Sequence, residues 1–202
     1  MKNTGVTPMA LFGESIRRIA QKMQACEEWI EMKRDLREPI DPGKPPLNLH
    51  MRWAEKEDLF AIAALEGFVK ETDFMEDSLL KGDRCLLLEE GKQLRAFAWA
   101  TFRDFKMALW YTLKLPPGWS YLEYIFVHPA VAGQGVGSYL LGSLLMAVRD
   151  QGFSHMVAGM YSNWDVSIRL HTRMGFRDHR RLTQCKILNI FPIPPKESSG
   201  FH

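Results

Sequence analysis

Residues 124–145 read YIFVHPAVAGQGVGSYLLGSLL, and this stretch contains three local signals in succession. An apolar run of β-forming residues ends at a His-Pro pair, three glycines then alternate, and a leucine-rich helical pattern follows. The order predicts a strand, a tight glycine loop and a helix that begins directly after the loop. In α/β sheets, ligands usually bind at the carboxyl ends of strands, which is where this loop lies.

The glycine loop, Ala132 to Ser138, is suited to an anion. Because alternate positions lack a Cβ, successive N–H groups can point into one concavity, and the following helix adds its own N–H donors and positive dipole end. The spacing Gly-x-Gly-x-Gly fits neither the dinucleotide fingerprint nor the Walker pattern. The loop therefore predicts a phosphate or pyrophosphate site of another class. The alternative is a tight strand-to-helix turn that binds nothing.

Composition excludes several classes of protein. The chain has 202 residues, 46% of them hydrophobic, which suits one globular domain with an appendage. Its formal net charge of +2, from 26 basic and 24 acidic residues, argues against a dedicated nucleic-acid binder. The three cysteines have no Cys-x-x-Cys spacing, so we expect no disulfide framework and no metal site. Without an apolar run of about 20 residues or a signal-peptide pattern, the sequence predicts a cytoplasmic protein with no membrane partner.

The chain divides into three predicted segments. Residues 1–47 contain an amphipathic helix from Thr7 or Pro8 to Arg37, followed by the proline-rich linker Glu38 to Asn48. This helix could pack on the body of the chain, form the seam of a homodimer, or meet a membrane surface or partner. Residues 48–190 form the main domain, and residues 191–202 form a flexible tail.

The main domain predicts an α/β (α+β) fold with a mixed, mostly antiparallel sheet and helices on both faces. An antiparallel group of strands comes first, and a strand–helix–strand unit with a parallel connection follows. The expected strands are LHMRWA, RCLLLEE, QLRAFAWATFR, Tyr121 to Val127, SHMVAGMY and FRDHRRLTQCKILNI, and the expected helices are EKEDLFAIAALEGFVKE, TDFMEDSLL, 137–151 and DVSIRLHTRM. Residues 106–120 predict an irregular loop.

Two motifs resemble a known family. YLEYIFVHPAVAGQGVGSYLL, residues 121–141, resembles the central motif of the GNAT superfamily of N-acetyltransferases, a strand ending in apolar-x-Val-x-Pro followed by Arg/Gln-x-x-Gly-x-Gly/Ala. VSIRLHTRMGF, residues 166–176, resembles the second signature, Ser-x-x-Leu-(Tyr/His)-x-x-x-Gly-Phe. Its Arg-Leu-His is similar to phosphinothricin-type members. The resemblance covers residues 121–176 and implies the GNAT fold.

The resemblance also implies an activity. A member of this family moves an acetyl group from acetyl-CoA to a primary amine of a small molecule or peptide, by direct transfer in a ternary complex. Two alternatives stay open: a transferase that uses another acyl-CoA, and a non-catalytic module that binds or senses acyl-CoA.

By resemblance, a main-chain loop holds the pyrophosphate, and a bulged strand together with an asparagine holds the pantetheine arm. The corresponding residues here are Gly133, Gln134, Gly135, Val136, Gly137 and Ser138 for the pyrophosphate, and Ile125, Phe126, Val127 and Asn163 for the pantetheine. Ala132 replaces the usual Arg/Gln, and Asn163 stands one residue early with Trp164 in its place. We expect these departures to weaken coenzyme A binding without abolishing it.

Glu123 is the candidate base that takes the proton of the amine. Strand alternation predicts that it shares one apolar face with Ile125 and Val127, and burial there would raise its pKa. The alternative is a solvated or ion-paired glutamate. His128 is a second candidate, although a His-Pro pair more often ends a strand.

His171 is the candidate acid for the departing thiolate, and Tyr161 is the alternative. The oxyanion would accept from the main-chain N–H of Phe126 or Val127, and one such donor is worth roughly 3–4 kcal/mol. Two further clusters have no assigned role, since each has a structural interpretation. An aromatic cluster could line an amine site, and it contains Trp99, Phe102, Phe105, Trp110, Tyr111 and Trp119. A basic cluster could bind a phosphate, and it contains Arg177, His179, Arg180 and Arg181.

Overall fold

The computed structural model describes residues 24–45, 48–68, 74–108, 111–187 and 191–198. These residues form an eight-stranded sheet, a two-stranded hairpin and four α-helices. The strands are β1 Gln24–Asp35, β2 Leu49–Trp53, β3 Arg84–Glu90, β4 Gln93–Thr101, β5 Phe105–Ala108, β6 Tyr111–Leu113, β7 Trp119–Val127, β8 His155–Tyr161, β9 Arg177–Ile187 and β10 Phe191–Ser198. The helices are α1 Leu59–Ala63, α2 Phe74–Leu80, α3 Val136–Asp150 and α4 Asp165–Arg173.

The large sheet has the order β10-β9-β1-β8-β7-β4-β3-β2. Every neighbouring pair is antiparallel except β7 and β8, which are parallel and joined through α3. The predicted mixed, mostly antiparallel sheet is therefore confirmed, and so is the parallel strand–helix–strand unit. That unit brings the glycine loop to the carboxyl end of β7.

Helices cover both faces of the sheet. On one face α3 buries an apolar stripe that includes Leu140, Leu141, Leu144 and Leu145, in a cluster with residues of β4, β7 and β8. On the other face, a second cluster joins Ile62 of α1 to residues of α2, β3 and β4. The helix expected around α1 is shorter than its apolar pattern predicts, because α1 ends at Ala63 and the chain turns through Gly67 at a φ of 82°.

The helix predicted from Thr7 or Pro8 to Arg37 is wrong over residues 24–35, which form β1; its residues before 24 lie outside the described part. β1 is paired on both sides, with β8 and with β9. Ile30 and Met32 face the α3 core, so period-two alternation in WIEMKRD fits this stretch as well as the helical period does. Two flanking strands settle the ambiguity in favour of a strand, since tertiary pairing overrides local helix propensity.

Two other segments contain more regular structure than their sequences predict. Within residues 106–120, which predict an irregular loop, the chain forms part of the β5–β6 hairpin. Residues 191–198, expected in a flexible tail, pair with β9 as the edge strand β10. The boundaries 1–47, 48–190 and 191–202 stay predictions, and β1 belongs to the same sheet as the main domain. None of the helices formed by the described residues is long and apolar enough to cross a membrane.

Candidate active site

A cleft opens where the two parallel strands part. β7 and β8 pair only from Trp119 to Leu122 and from His155 to Ala158. Beyond these residues β7 follows β4 to Val127, whereas β8 follows β1 to Tyr161. The two strand ends therefore diverge, and the edges that face each other across the gap have no strand pairing between them in the described part of the chain. A ligand's amide groups can pair with such edges as a further strand would.

Glu123 lies at the start of this divergence, on a β-bulge. In the register of β4 with β7, Trp99 is opposite Tyr124 and Ala100 is opposite Leu122, so Glu123 is an extra residue. A bulge reverses the alternation of side chains along the strand. Sequence alternation is therefore wrong here: Ile125 and Val127 pack against the α3 face, while Glu123 interacts with charged groups beneath α2.

The environment of Glu123 favours a base. Burial, and after it the nearby carboxylate of Asp83, raises the pKa of Glu123 to about 8, while the guanidinium of Arg103 opposes the rise. The side chain is partly buried rather than sealed, so an incoming amine can reach it. A carboxylate with a pKa near 8 holds a proton far more strongly than an ordinary glutamate, and it still ionises within the physiological range.

Asp83 is the centre of a buried polar cluster beside Glu123. It is 2% exposed, and it accepts hydrogen bonds from Ser78 Oγ at 2.5 Å, Thr101 Oγ1 at 2.6 Å and Arg103 Nη2 at 2.7 Å. Sequence reasoning missed this cluster. Its members come from α2, the turn before β3, the end of β4 and the loop after it, so no short motif contains them.

Tyr121 is a further buried polar group, two residues before Glu123 on β7. It is 3% exposed, and its phenol bonds the main chain of Gly159, the first residue of β8 beyond the pairing with β7. Burial, and then the carboxylates of Glu31 and Glu123, raise the pKa of Tyr121 well above its usual value. Glu31 of β1 is itself fully buried and is ion-paired with Arg180. Strand β1 thus contributes a buried, ion-paired carboxylate near Tyr121.

The glycine loop follows the carboxyl end of β7 and leads into the first turn of the 15-residue helix α3. Gly133 and Gly135 have φ values of 77° and 84°, which residues with a Cβ rarely adopt. A Cβ at either position would meet no atom within 4 Å, so the space over the loop is open. Residues 132–135 are exposed, and the main-chain N–H groups at the helix start can therefore reach an anion. Main-chain N–H groups in this loop are thus accessible to an anion without help from a side chain at Ala132.

His171 is held in one tautomer. Its side chain is 2% exposed, and Nδ1 lies 2.8 Å from the carbonyl oxygen of Ser167, which can only accept. Nδ1 therefore carries the hydrogen, and Nε2 of the neutral ring has a lone pair. Nε2 is buried with no hydrogen-bond partner among the described residues, and burial lowers the pKa of His171. A neutral imidazole in this form accepts a hydrogen bond at Nε2 and has no proton to donate there.

The remaining candidates are His128, Asn163 and Tyr161, which lie beyond the paired part of β7 and β8. His128 Nδ1 accepts from the N–H of Ala130 at 3.1 Å and so caps the turn after β7, which favours the structural interpretation. Asn163 is exposed, and Trp164 rather than Asn163 occupies the N-cap of α4. Tyr161 packs edge-on against Trp164 at 5.2 Å, at the open end of β8.

Most members of the two unassigned clusters have structural partners. Trp99 is fully buried in the α1 and α2 core, and Phe105 stacks on Tyr121 at 4.8 Å. Trp110 and the side chain of Tyr111 lie outside the described part. In the basic cluster, Arg180 pairs with Glu31 and Arg181 Nη2 lies 3.0 Å from Asp178. These pairings favour core and surface roles over a phosphate site.

Comparison with known proteins gives a consistent result. Residues 48–176 match the sequence profile of the Acetyltransferase (GNAT) family. The L-methionine sulfoximine/L-methionine sulfone acetyltransferase of Salmonella typhimurium is 29% identical over 142 residues, which is 62% of this chain and 78% of that protein. The phosphinothricin N-acetyltransferase of Streptomyces coelicolor is 38% identical over 53 residues, 26% of this chain and 31% of that protein.

A solved structure agrees on the fold. The GCN5-related N-acetyltransferase of Sphaerobacter thermophilus superposes with a TM-score of 0.63 at 16% identity. The superposition covers 87% of this chain and 56% of that chain.

Proposed function

We propose that this chain, which belongs to the acetyltransferase (GNAT) family, acetylates the primary amine of a small amino acid by direct transfer. The chain is a GNAT-type N-acetyltransferase, and its co-substrate is acetyl-CoA. The acceptor, the order of the chemistry and the residues that perform it are the proposal.

The partly buried carboxyl of Glu123, on β7 where that strand leaves β8, is the observation that carries the proposal. The α-amine of an amino acid is largely protonated near neutral pH and must lose a proton before its nitrogen can attack a carbonyl carbon. Glu123, with a pKa raised to about 8 chiefly by burial, can take that proton directly or through one water. Its position where β7 and β8 diverge supports this role. The nitrogen–carbon bond then forms while the carbon–sulfur bond of the thioester breaks, with no covalent bond to the protein.

Acetyl-CoA supplies the thioester when it is bound, and this chain's main chain would hold it. We propose that residues 133–138 hold the pyrophosphate through the exposed N–H groups at the start of α3. The facing edge of β7, from Ile125 to Val127, would hold the pantetheine, and the N–H of Phe126 or Val127 would donate to the oxyanion. The exposed position of Asn163 supports no more than a contact at the rim.

The acid that protonates the thiolate is better assigned to Tyr161 than to His171. The bond from His171 to the carbonyl of Ser167 leaves Nε2 as an acceptor, and the lowered pKa of His171 keeps the ring neutral. A phenol at the open end of β8 carries the needed proton without first being charged.

The proposed acceptor is an amino acid. L-methionine sulfone and phosphinothricin, which the two similar enzymes are named for, both carry an α-amine beside a carboxylate. The partly exposed guanidinium of Arg103 and the carboxylate of Glu123 place opposite charges next to each other at the cleft, as a zwitterion requires. We also propose peptide amines as acceptors. An assembly of two copies is a further proposal, which the mass of the protein in solution tests. A cytoplasmic location is another, which cell fractionation tests.

Release of free thiol in the presence of acceptor tests this function. L-methionine sulfone and phosphinothricin are compared with the same molecules lacking the carboxylate, and acetyl-CoA is compared with propionyl-CoA. We expect release with acetyl-CoA and the amino acids, and much slower release with the decarboxylated amines. Equal rates with both kinds of acceptor would contradict the amino-acid proposal. Preference for propionyl-CoA would replace acetyl with another acyl group.

A further inference from the structure

Resting on the proposed role of Glu123 as the base, we propose that Asp83 and Arg103 are positioning residues that set the pH range in which Glu123 accepts a proton. Neither residue belongs to the motifs that identify the site. They form an ion pair, and Ser78 of α2 donates a hydrogen bond to Asp83. The two charges shift the pKa of Glu123 in opposite directions.

Asp83 is a buried carboxylate that three donors hold in place. Its side chain is 1% exposed, and both carboxylate oxygens are engaged by donors: Thr101 on Oδ1, and Ser78 and Arg103 on Oδ2. The buried oxygens of this carboxylate therefore have their hydrogen-bond partners within the cluster. Removing this charge would leave two hydroxyls and a guanidinium without their shared acceptor, so the site is built around it.

The pairing of β4 with β7 brings the carboxylate of Asp83 close to Glu123. Thr101, which donates to Asp83, is paired in register with Tyr121, two residues before Glu123 on β7. The bulge at Glu123 turns its side chain to the same face as this cluster. Arg103 follows Thr101 by two residues, and its side chain is 41% exposed. The cluster therefore has a buried anion and a cation that reaches solvent, both beside the base.

Asp83 and Arg103 have opposite effects on Glu123. After burial, the carboxylate of Asp83 raises the pKa of Glu123, whereas the guanidinium of Arg103 lowers it. The other titratable groups near the base are Tyr121 and Tyr124 on β7, and Glu31 of β1, which lies next to Tyr121. Burial raises the pKa of both phenols, so they stay neutral while Glu123 titrates. Asp83 and Arg103 are thus the charged pair that adjusts the base.

The test is a direct titration of Glu123 in the full chain without ligands. Isotope-labelled glutamate carboxyl groups are followed by carbon NMR, and the Glu123 signal is identified by its absence from Glu123→Gln. We expect Asp83→Asn to shift the Glu123 midpoint to lower pH and Arg103→Gln to shift it to higher pH. Each shift should be about half a unit to one unit, as for a single charge a few ångströms away in a partly solvated site.

Two variants with the same charge changes serve as controls. Asp104→Asn breaks the exposed pair with Lys114, and Arg95→Gln breaks the pair with Glu90; neither residue contributes to the pKa shift of Glu123. Midpoints that move no more than in these controls, or that move in the same direction for both variants, would overturn the proposal. If Asp83→Asn does not fold, the Glu123 midpoint in Arg103→Gln tests the proposal by itself. We expect Arg103→Gln to fold because the side chain of Arg103 is partly exposed.

A kinetic arm separates this proposal from the proposed base. The acidic limb of kcat/KM for acetyl transfer should follow the NMR midpoint in Asp83→Asn. Opposite NMR shifts without a matching change in the limb would support the charged pair and contradict Glu123 as the base.

Discussion

Glu123 combines a buried position with a role that needs it to ionise, and this combination has a cost in stability. Its folded-state pKa, raised to about 8 mainly by burial, exceeds the ordinary value of 4.5. Between these two values the folded chain binds more protons than the unfolded chain does. The free energy of unfolding therefore falls as pH rises through this window.

We predict that Glu123→Gln removes this fall. At pH 4 the variant and the parent should have similar free energies of unfolding, and at pH 9 the variant should be the more stable, because a buried neutral amide replaces a buried charge. Urea unfolding at a series of pH values measures this. Parallel curves for the two proteins across pH 4–9 would mean that Glu123 is solvated and has an ordinary pKa.

The motifs identify some residues of the site and miss others for a physical reason. Glu123 and the glycine loop lie in one continuous stretch, so a pattern of adjacent residues contains them. Asp83 and Arg103 reach the site only through the pairing of β3, β4 and β7. The direction of the Glu123 side chain depends on a bulge that shifts the register by one residue, which period-two alternation does not encode.

At the scale of elements, local pattern predicts α3 and its flanking strands well. Helix α3 begins and ends within one residue of the prediction, since its apolar stripe, glycine start and Gly152 stop are all local signals. β1 is predicted wrongly because its partners, β8 and β9, are more than a hundred residues away in sequence. A short segment can fit the helical period and the strand period equally well, and pairing with distant strands then decides which structure forms.

One contact fixes α3 against the segment that follows β1. A Cβ on Gly142 would lie 2.6 Å from Cα of Pro42 and 2.9 Å from Cε of Met174, closer than real Cβ atoms approach. We predict that Gly142→Ala destabilises the fold by roughly 1–3 kcal/mol, as overpacking against backbone does, despite the higher helix propensity of alanine.

Gly137 in the same helix is the matched control. A Cβ there would meet Leu170 and Val127 only at 3.6 Å, an ordinary contact, so Gly137→Ala should be neutral or stabilising. Denaturant midpoints without ligand compare the two variants. Equal stability of the two would show that the segment at Pro42 does not press on α3.

At the scale of the whole molecule, the main sheet depends on a strand that precedes the segment matching the family. β1 separates β8 from β9 and adds Ile30 and Met32 to the core, which Leu36 joins directly after the strand. Its residue Trp29 also covers Gly159, where a Cβ would lie 2.5 Å from the indole nitrogen. The segment that matches the family, residues 48–176, therefore does not contain every strand of the main sheet.

We predict that a fragment of residues 48–202 does not unfold cooperatively, because removing β1 exposes the pairing edges of both β8 and β9 together with the core they cover. Thermal unfolding followed by circular dichroism, with the full chain as the reference, tests this. A sharp transition for the fragment near that of the full chain would show that β1 is an accessory.

The central claim is that Glu123 is the base for acetyl transfer, and the pH dependence of kcat/KM in the parent chain and in Glu123→Gln tests it most directly. The parent should lose activity as pH falls, with a midpoint near the raised pKa of Glu123, about 8. Glu123→Gln should be ~10²–10⁴-fold slower at the plateau and lack this limb, as loss of a general base predicts. A variant that keeps both the rate and the midpoint would contradict the account.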